Sequence, residues 1–144
     1  MDLVIASVHS HFSQSPEEMT ARLLKAIENP NVSIIGHPTG RLLLRREAYG
    51  FDMDPVLQAA ASYKVAMEHN AYPDRLDLCD RHLRQAKQLG VKIVINTDSH
   101  HTTHMEKIRF GVLQARRAWL TRTEVLNTLS VEKFAEAMKH RWPT

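Results

Sequence analysis

Cysteine is almost missing from this sequence. Cys79 is the only one in 144 residues, so no disulfide can form within the chain, and the composition fits a reducing compartment. Long apolar runs are missing too: none approaches the roughly 18 residues that a membrane-spanning helix needs. No basic residues precede the first apolar stretch as they would in a secretory leader. A cytoplasmic protein with no membrane association is the expectation. Charge of one sign is not in excess either. A net charge of +3 is compatible with a phosphate-bearing partner and too small to identify one. Low-complexity segments are absent, and nothing repeats beyond a strand-helix rhythm. A chain of this length with 43% hydrophobic residues buries one core and gives no sign of a second domain. Histidine, by contrast, is plentiful: there are nine, several of them at the ends of expected strands.

The apolar, β-branched stretch from Leu3 to Val8 predicts a buried strand. After it, Ser15-Pro16-Glu17-Glu18 supplies an N-cap serine, a proline at the first helical position and a capping-box glutamate. Met19, Leu23, Leu24 and Ile27 then repeat at helical spacing up to Asn29-Pro30. Val32 to Gly36 is a second strand, broken by Pro38-Thr39-Gly40 directly after His37. An irregular segment leads to a helix starting near Asp54-Pro55 and running through Val56, Leu57, Ala60 and Ala61. Lys64 to Glu68 predicts the third strand. The next helix carries Leu78, Leu83, Ala86 and Leu89 and closes at Gly90, a favourable C′ residue. Val91 to Ile95 is the fourth strand, leaving through the polar turn Asn96-Thr97-Asp98-Ser99-His100. From about Met105 to His140 the pattern is helical. Thr121-Arg122-Thr123-Glu124 reads as a second capping box, and Ser130 caps a last helix whose apolar face holds Val131, Phe134 and Met138.

Strand-helix units of this kind build a parallel α/β sheet with right-handed crossovers. About four strands are too few to close a barrel, which commonly takes about eight. A chain that opens directly on a strand is therefore expected to be the C-terminal portion of a larger barrel domain.

In parallel α/β folds the chemistry collects at the carboxyl ends of the strands. His9, His37 and the pair Asp98 and His100 all stand at such exits. Imidazole nitrogen and carboxylate oxygen are the usual first-row metal ligands outside thiolate sites, and Asp98-x-His100 presents one of each from a single turn. Any one of these histidines alone reads as a polar strand cap; the four together read as a metal site. His11 is a further candidate, already out in the loop. Glu68, beside His69 at the third exit, is open between ligand, general base and a partner that fixes a histidine tautomer. His101 and His104 read as surface residues at a helix start, and His82 and His140 as solvated helix positions. Cys79, between the acids Asp77 and Asp80, is expected to have a raised thiol pKa and no nucleophilic role. Arg41, followed by Arg45 and Arg46, stands where it could hold a phosphate by bidentate hydrogen bonds; Arg75 is similarly placed.

Several phrases carry a resemblance to a known family. They are Val4-Ile5-Ala6-Ser7-Val8-His9-Ser10, Gly36-His37-Pro38-Thr39-Gly40-Arg41, Asn70-Ala71-Tyr72-Pro73-Asp74-Arg75-Leu76-Asp77-Leu78, Asn96-Thr97-Asp98-Ser99-His100 and Gln114-Ala115-Arg116-Arg117-Ala118-Trp119-Leu120. In order, and over essentially the whole chain, they resemble the second half of the polymerase-and-histidinol-phosphatase (PHP) domain, in the variety fused to bacterial and archaeal family X DNA polymerases. The resemblance implies a distorted (β/α)7 barrel with up to three divalent metals, zinc or manganese. His9 and His37 would belong to one metal, Asp98 to a second and His100 to a third, while His11 has no fixed role. Glu68 matches a glutamate frequent at that position. The implied activity is 3′-5′ exonuclease or another DNA-end phosphoesterase reaction in DNA repair, with Asp98, His100 and Arg41 as its catalytic candidates.

The family's opening His-x-His motif, a second histidine motif and its bridging glutamate have no counterpart in this chain. Each metal would thus lack part of its ligand set, and the expected partners are the missing N-terminal half and the polymerase domains, besides DNA or another phosphate ester. Two other classes stay open: a non-catalytic structural or assembly module derived from a PHP domain, and a metallo-hydrolase of the amidohydrolase kind. An open sheet edge also predicts a homodimer.

Overall fold

The computed structural model describes residues 3–139, and the expectation for His140 lies outside them. Four parallel strands form one sheet in chain order: β1 (Ile5–Ser7), β2 (Ile34–Gly36), β3 (Ala66–Asn70) and β4 (Ile93–Asn96). Helices α1 (Pro16–Glu28), α2 (Met53–Ser62) and α3 (Asp80–Gln88) make the three crossovers, and α4 (Ile108–Arg117) and α5 (Val131–Lys139) follow β4. Short 3-10 turns at Thr102–Lys107 and Leu126–Thr128 flank α4. This is the α/β architecture expected, with strands that lie side by side in sequence order as consecutive strands of a barrel would.

Registers Ser7↔Gly36, Ile35↔Met67 and Asn70↔Asn96 align the strand exits at one end of the sheet. Side chains alternate across a strand, so each face has its own composition. Ile35, Met67, Ile93 and Ile95 face the helices and form the main core with Met19, Leu23, Leu57 and Leu83. Ile34, Ala66 and Val94 on the other face pack with Leu126 and Met138, and Phe134 lies against them. Above that apolar patch the same face turns polar, with Ser7, Glu68 and Asn96.

Helix α1 begins as its sequence dictates. Ser15 and Glu18 form a reciprocal capping box, with Pro16 in the first turn. Gly90 takes a φ of 76° after α3, and Val91 N–H donates to Ala86 O at 2.9 Å, which delays β4 to Ile93. A parallel device displaces β3. Lys64 takes a left-handed φ of 55° at the end of α2, Val65 N–H returns to Ala60 O at 2.9 Å, and the strand runs two residues later than the hydrophobic run suggests. Glu68 and His69 are therefore inside β3 and buried, not at its exit.

Only half of the Thr121 capping box forms: Thr121 N–H donates to Glu124 Oε2 at 2.6 Å, but Thr121 Oγ1 accepts from Thr123 N–H at 3.3 Å, and Glu124 N–H turns to Thr121 O at 3.3 Å. No α-helix follows. The backbone pairs with the edge of β4 instead, through Ile93 N–H to Glu124 O at 2.8 Å and a parallel bridge from Ile93 to Val125. Ser130 caps α5 as expected, but Val131 is 80% exposed and takes no part in its apolar face. Among the described residues no strand pairs with the outer edge of β1, and no helix is long and apolar enough to cross a membrane.

Candidate functional site

A cleft of about 640 Å³ opens over the strand exits. Its polar lining is Ser7, His9, His37, Glu68, Asn96, Thr97 and Asp98, and Ile5, Met105 and Ile108 form an apolar wall. Residues from all four strands or the turns that leave them thus meet in one space. His9 and His37 lie with ring centroids 5.1 Å apart in an edge-to-face arrangement. Two cleft residues have left-handed backbones unusual for a side chain larger than glycine: His37 with φ 29° and Asp98 with φ 49°. Such backbone strain collects where a fold holds functional groups.

His37 is 5% exposed. Burial first, and then the nearby Arg75 charge, bring its pKa down to about 4, so the ring is neutral at physiological pH and its lone pair is free. Its Nδ1 is buried with no hydrogen-bond partner. An orphaned imidazole nitrogen of this kind fits a metal ligand. His100 is exposed, and its Nδ1–H donates to Asp98 O at 2.7 Å. That bond fixes the tautomer and leaves Nε2 with the lone pair, the arrangement a metal-binding imidazole needs.

Asp98 is placed by Arg75, whose Nε lies 3.7 Å from Asp98 Oδ2. Arg75 is placed in turn by Arg41, which donates from Nε to Arg75 O at 2.7 Å and from Nη2 to Leu76 O. Arg41 therefore ties the β3–α3 loop, and two of its three nitrogens are committed to backbone carbonyls. Asp77 buttresses the loop after β2 by accepting from Thr39 N–H at 3.0 Å and Gly40 N–H at 3.1 Å. Burial pushes the Asp77 carboxyl above its ordinary value.

Glu68 reaches the cleft from within β3. Its Oε2 accepts the His37 N–H at 2.5 Å, and its Oε1 accepts Asn96 Nδ2 at 3.0 Å. Burial raises its pKa against the lowering effect of these bonds. Neither Asn70 nor Asn96 stood out in the sequence, although the spacing Glu68-x-Asn70 puts both side chains on one strand face. His69 points the other way, fully buried with neither ring nitrogen bonded. His11 is exposed, with φ 57° and a 3.0 Å contact from Nδ1 to Ser10 Oγ, and it is not part of the cleft lining.

The expectation for Cys79 is corrected. Burial alone would raise the thiol, but hydrogen bonding and charge from His82, with the Arg41 charge, bring it to about 7. His82 is correspondingly half-buried rather than solvated.

His9, His37, Asp98 and His100 have the donor chemistry of a divalent-metal site. Among the described residues, however, no three His, Cys, Asp or Glu side chains converge on one point. The residues present fit part of a ligand set, which further donors would have to complete.

No protein-family model matches the chain. It is 42% identical over 139 residues to the DNA polymerase/3′-5′ exonuclease PolX of Bacillus subtilis, a match covering 96% of this chain and 24% of that protein. It is 31% identical over 150 residues to a probable phosphatase of Thermoanaerobacter sp. strain X514, covering 98% of this chain and 58% of the relative. A probable phosphatase of Vibrio parahaemolyticus is 28% identical over 137 residues, with 89% of this chain and 53% of the relative covered. The chain thus spans about a quarter of the polymerase and somewhat over half of the phosphatases.

Proposed function

The sequence is that of the C-terminal part of a PHP domain of the kind found in family X DNA polymerases, and from this we propose one half of a metal-dependent phosphoesterase site. In the longer protein that site hydrolyses phosphodiesters at DNA 3′ ends. The observation that carries the proposal is the convergence of His9, His37 and Asp98 on one cleft from three strand exits.

His9 and His37 would hold one divalent ion, zinc or manganese, Asp98 a second and His100 a third, with the remaining ligands supplied by residues outside this chain. Such ions supply a water of lowered pKa and positive centres for the phosphate oxygens. The chain's own residues do the rest by position. Neutral His37 keeps its lone pair available. Arg75 holds the Asp98 carboxylate and adds positive charge where a phosphate would approach. Arg41 serves by fixing the Arg75 loop. The apolar wall of Ile5, Met105 and Ile108 offers a surface to a base or sugar rather than to water. Cytoplasmic location, attached polymerase domains and a role in DNA repair belong to the same proposal.

The test is digestion of a 5′-labelled DNA strand by the longer protein with Asp98→Ala. Loss of metal-dependent shortening from the 3′ end, with polymerase activity kept, is the expected result. Full nuclease activity in that variant would leave the non-catalytic assembly module as the better reading.

A further inference from the structure

We infer that Glu68 is a positioning residue that sets the geometry of both sides of the cleft, and not a metal ligand. The inference rests on the phosphoesterase reading above and deepens it. One carboxylate on the central strand β3 ties together the exit of β2 and the end of β4. Oε2 accepts the His37 N–H at 2.5 Å and Asn70 Nδ2 at 3.4 Å, which occupies both of its lone pairs. Oε1 accepts Asn96 Nδ2 at 3.0 Å. Asn70 is itself fixed, because its Oδ1 accepts the Tyr72 N–H at 3.0 Å and so turns its amide nitrogen toward Glu68.

A Cβ at Gly36 would press on Ser7 Oγ and stand 3.0 Å from Ile5 Cγ2 and 3.6 Å from Glu68 Oε2. The missing side chain chiefly makes room for Ser7, and the carboxylate beyond it is at ordinary contact distance. His37 holds φ 29°, a conformation that costs a non-glycine residue on the order of 1–3 kcal/mol; the charge-assisted bond to its N–H helps hold it, together with the Gly40 N–H bond to His37 O at 2.9 Å. Asn96 lies two residues before Asp98, so the same carboxylate anchors the start of the turn that presents Asp98 and His100.

The experiment compares wild type, Glu68→Ala, Glu68→Gln and His37→Ala in zinc and manganese titrations followed calorimetrically, with circular dichroism to confirm folding. A positioning role gives about a tenfold loss of affinity in Glu68→Ala. Gln keeps the length and one acceptor, and a turned Asn96 amide can meet its NH2, so Glu68→Gln should stay within about threefold of wild type. A ligand role would make both Glu68 variants as weak as His37→Ala, and a purely structural role would lower the melting temperature while leaving affinity unchanged; either result overturns the inference. Nitrogen-15 NMR supplies a readout that needs no metal. The His37 amide proton should lie well downfield in the wild type and move upfield in Glu68→Ala. If the wild type takes up no ion, the half-site needs the donors outside this chain, and the amide readout decides alone: an ordinary, unmoved His37 amide shift overturns the Glu68 assignment, whereas the phosphoesterase reading stands or falls on the nuclease assay of the longer protein.

Discussion

Asn127 pairs with Ile95 through its side chain as a fifth strand would through its backbone. Ile95 N–H donates to Asn127 Oδ1 at 2.7 Å, and Asn127 Nδ2 donates to Ile95 O at 3.0 Å. The donors and acceptors on the outer edge of β4, otherwise a template for association, are in this way partly used. Asn127→Ala should lower stability by about 1–3 kcal/mol in urea denaturation and increase self-association in light scattering. Unchanged stability would mean that water replaces the pair without loss.

Gly111 lets α4 sit directly on the sheet. A Cβ there would meet Ile95 Cγ2 at 2.5 Å and Ala71 Cβ at 2.6 Å. Despite the better helix propensity of alanine, Gly111→Ala should destabilise the protein by about 1–3 kcal/mol, the usual range for overpacking. Adding Ala71→Gly should recover part of the loss, which a thermal melt of the pair would register.

His69 makes stability fall with acid. Burial holds its folded pKa down at about 4, whereas the unfolded chain takes up the proton near the ordinary value of about 6.5. Between those values the unfolded state binds more protons, so stability present above the unfolded value is lost as pH falls through the folded one. The loss is on the order of 3 kcal/mol. His37 acts in the same direction, while Glu68 and Asp77, both raised, act oppositely and lose stability as pH rises through their folded values. Urea midpoints at pH 7 and pH 4 should therefore differ less in His69→Leu than in the wild type.

Arg41 gives a test between loop tie and free phosphate hand. Arg41→Ala should cost about 1.5–3 kcal/mol, as for hydrogen bonds from a charged donor. Arg41→Lys should recover only part of it, since a point ammonium cannot reproduce the guanidinium fork. Undiminished stability in Arg41→Ala would return the side chain to a substrate-binding role.

Much of this was legible in local patterns. Ser15 and Glu18 mark the start of α1, Gly90 marks the end of α3, and His9, His37 and Asp98 announce themselves by following β-branched runs. What stayed hidden depends on partners distant in sequence. Lys64 in a left-handed conformation shifts β3 by two residues, which turns Glu68 from an exit residue into a buried one. The carboxylate's partners lie on β2 and β4, and nothing around Asn127 in the sequence distinguishes it from a loop asparagine. Thr121-Glu124 carries a helix-start signal, but only half of the capping box forms, because the backbone there pairs with β4 instead of entering a helix. The acidic neighbours of Cys79 in sequence point to a raised thiol pKa, whereas His82, one helical turn on, brings it down.

The most direct measurement is the divalent-metal content and affinity of the purified chain, by inductively coupled plasma mass spectrometry and competition with a chelator, beside His9→Ala and His37→Ala. Uptake of a zinc or manganese ion by the wild type, weakened at least about tenfold in each variant, is the expected result, since each would remove one ligand of an already partial set. Uptake by the wild type that is unchanged in both variants would contradict a metal centre built on these two histidines.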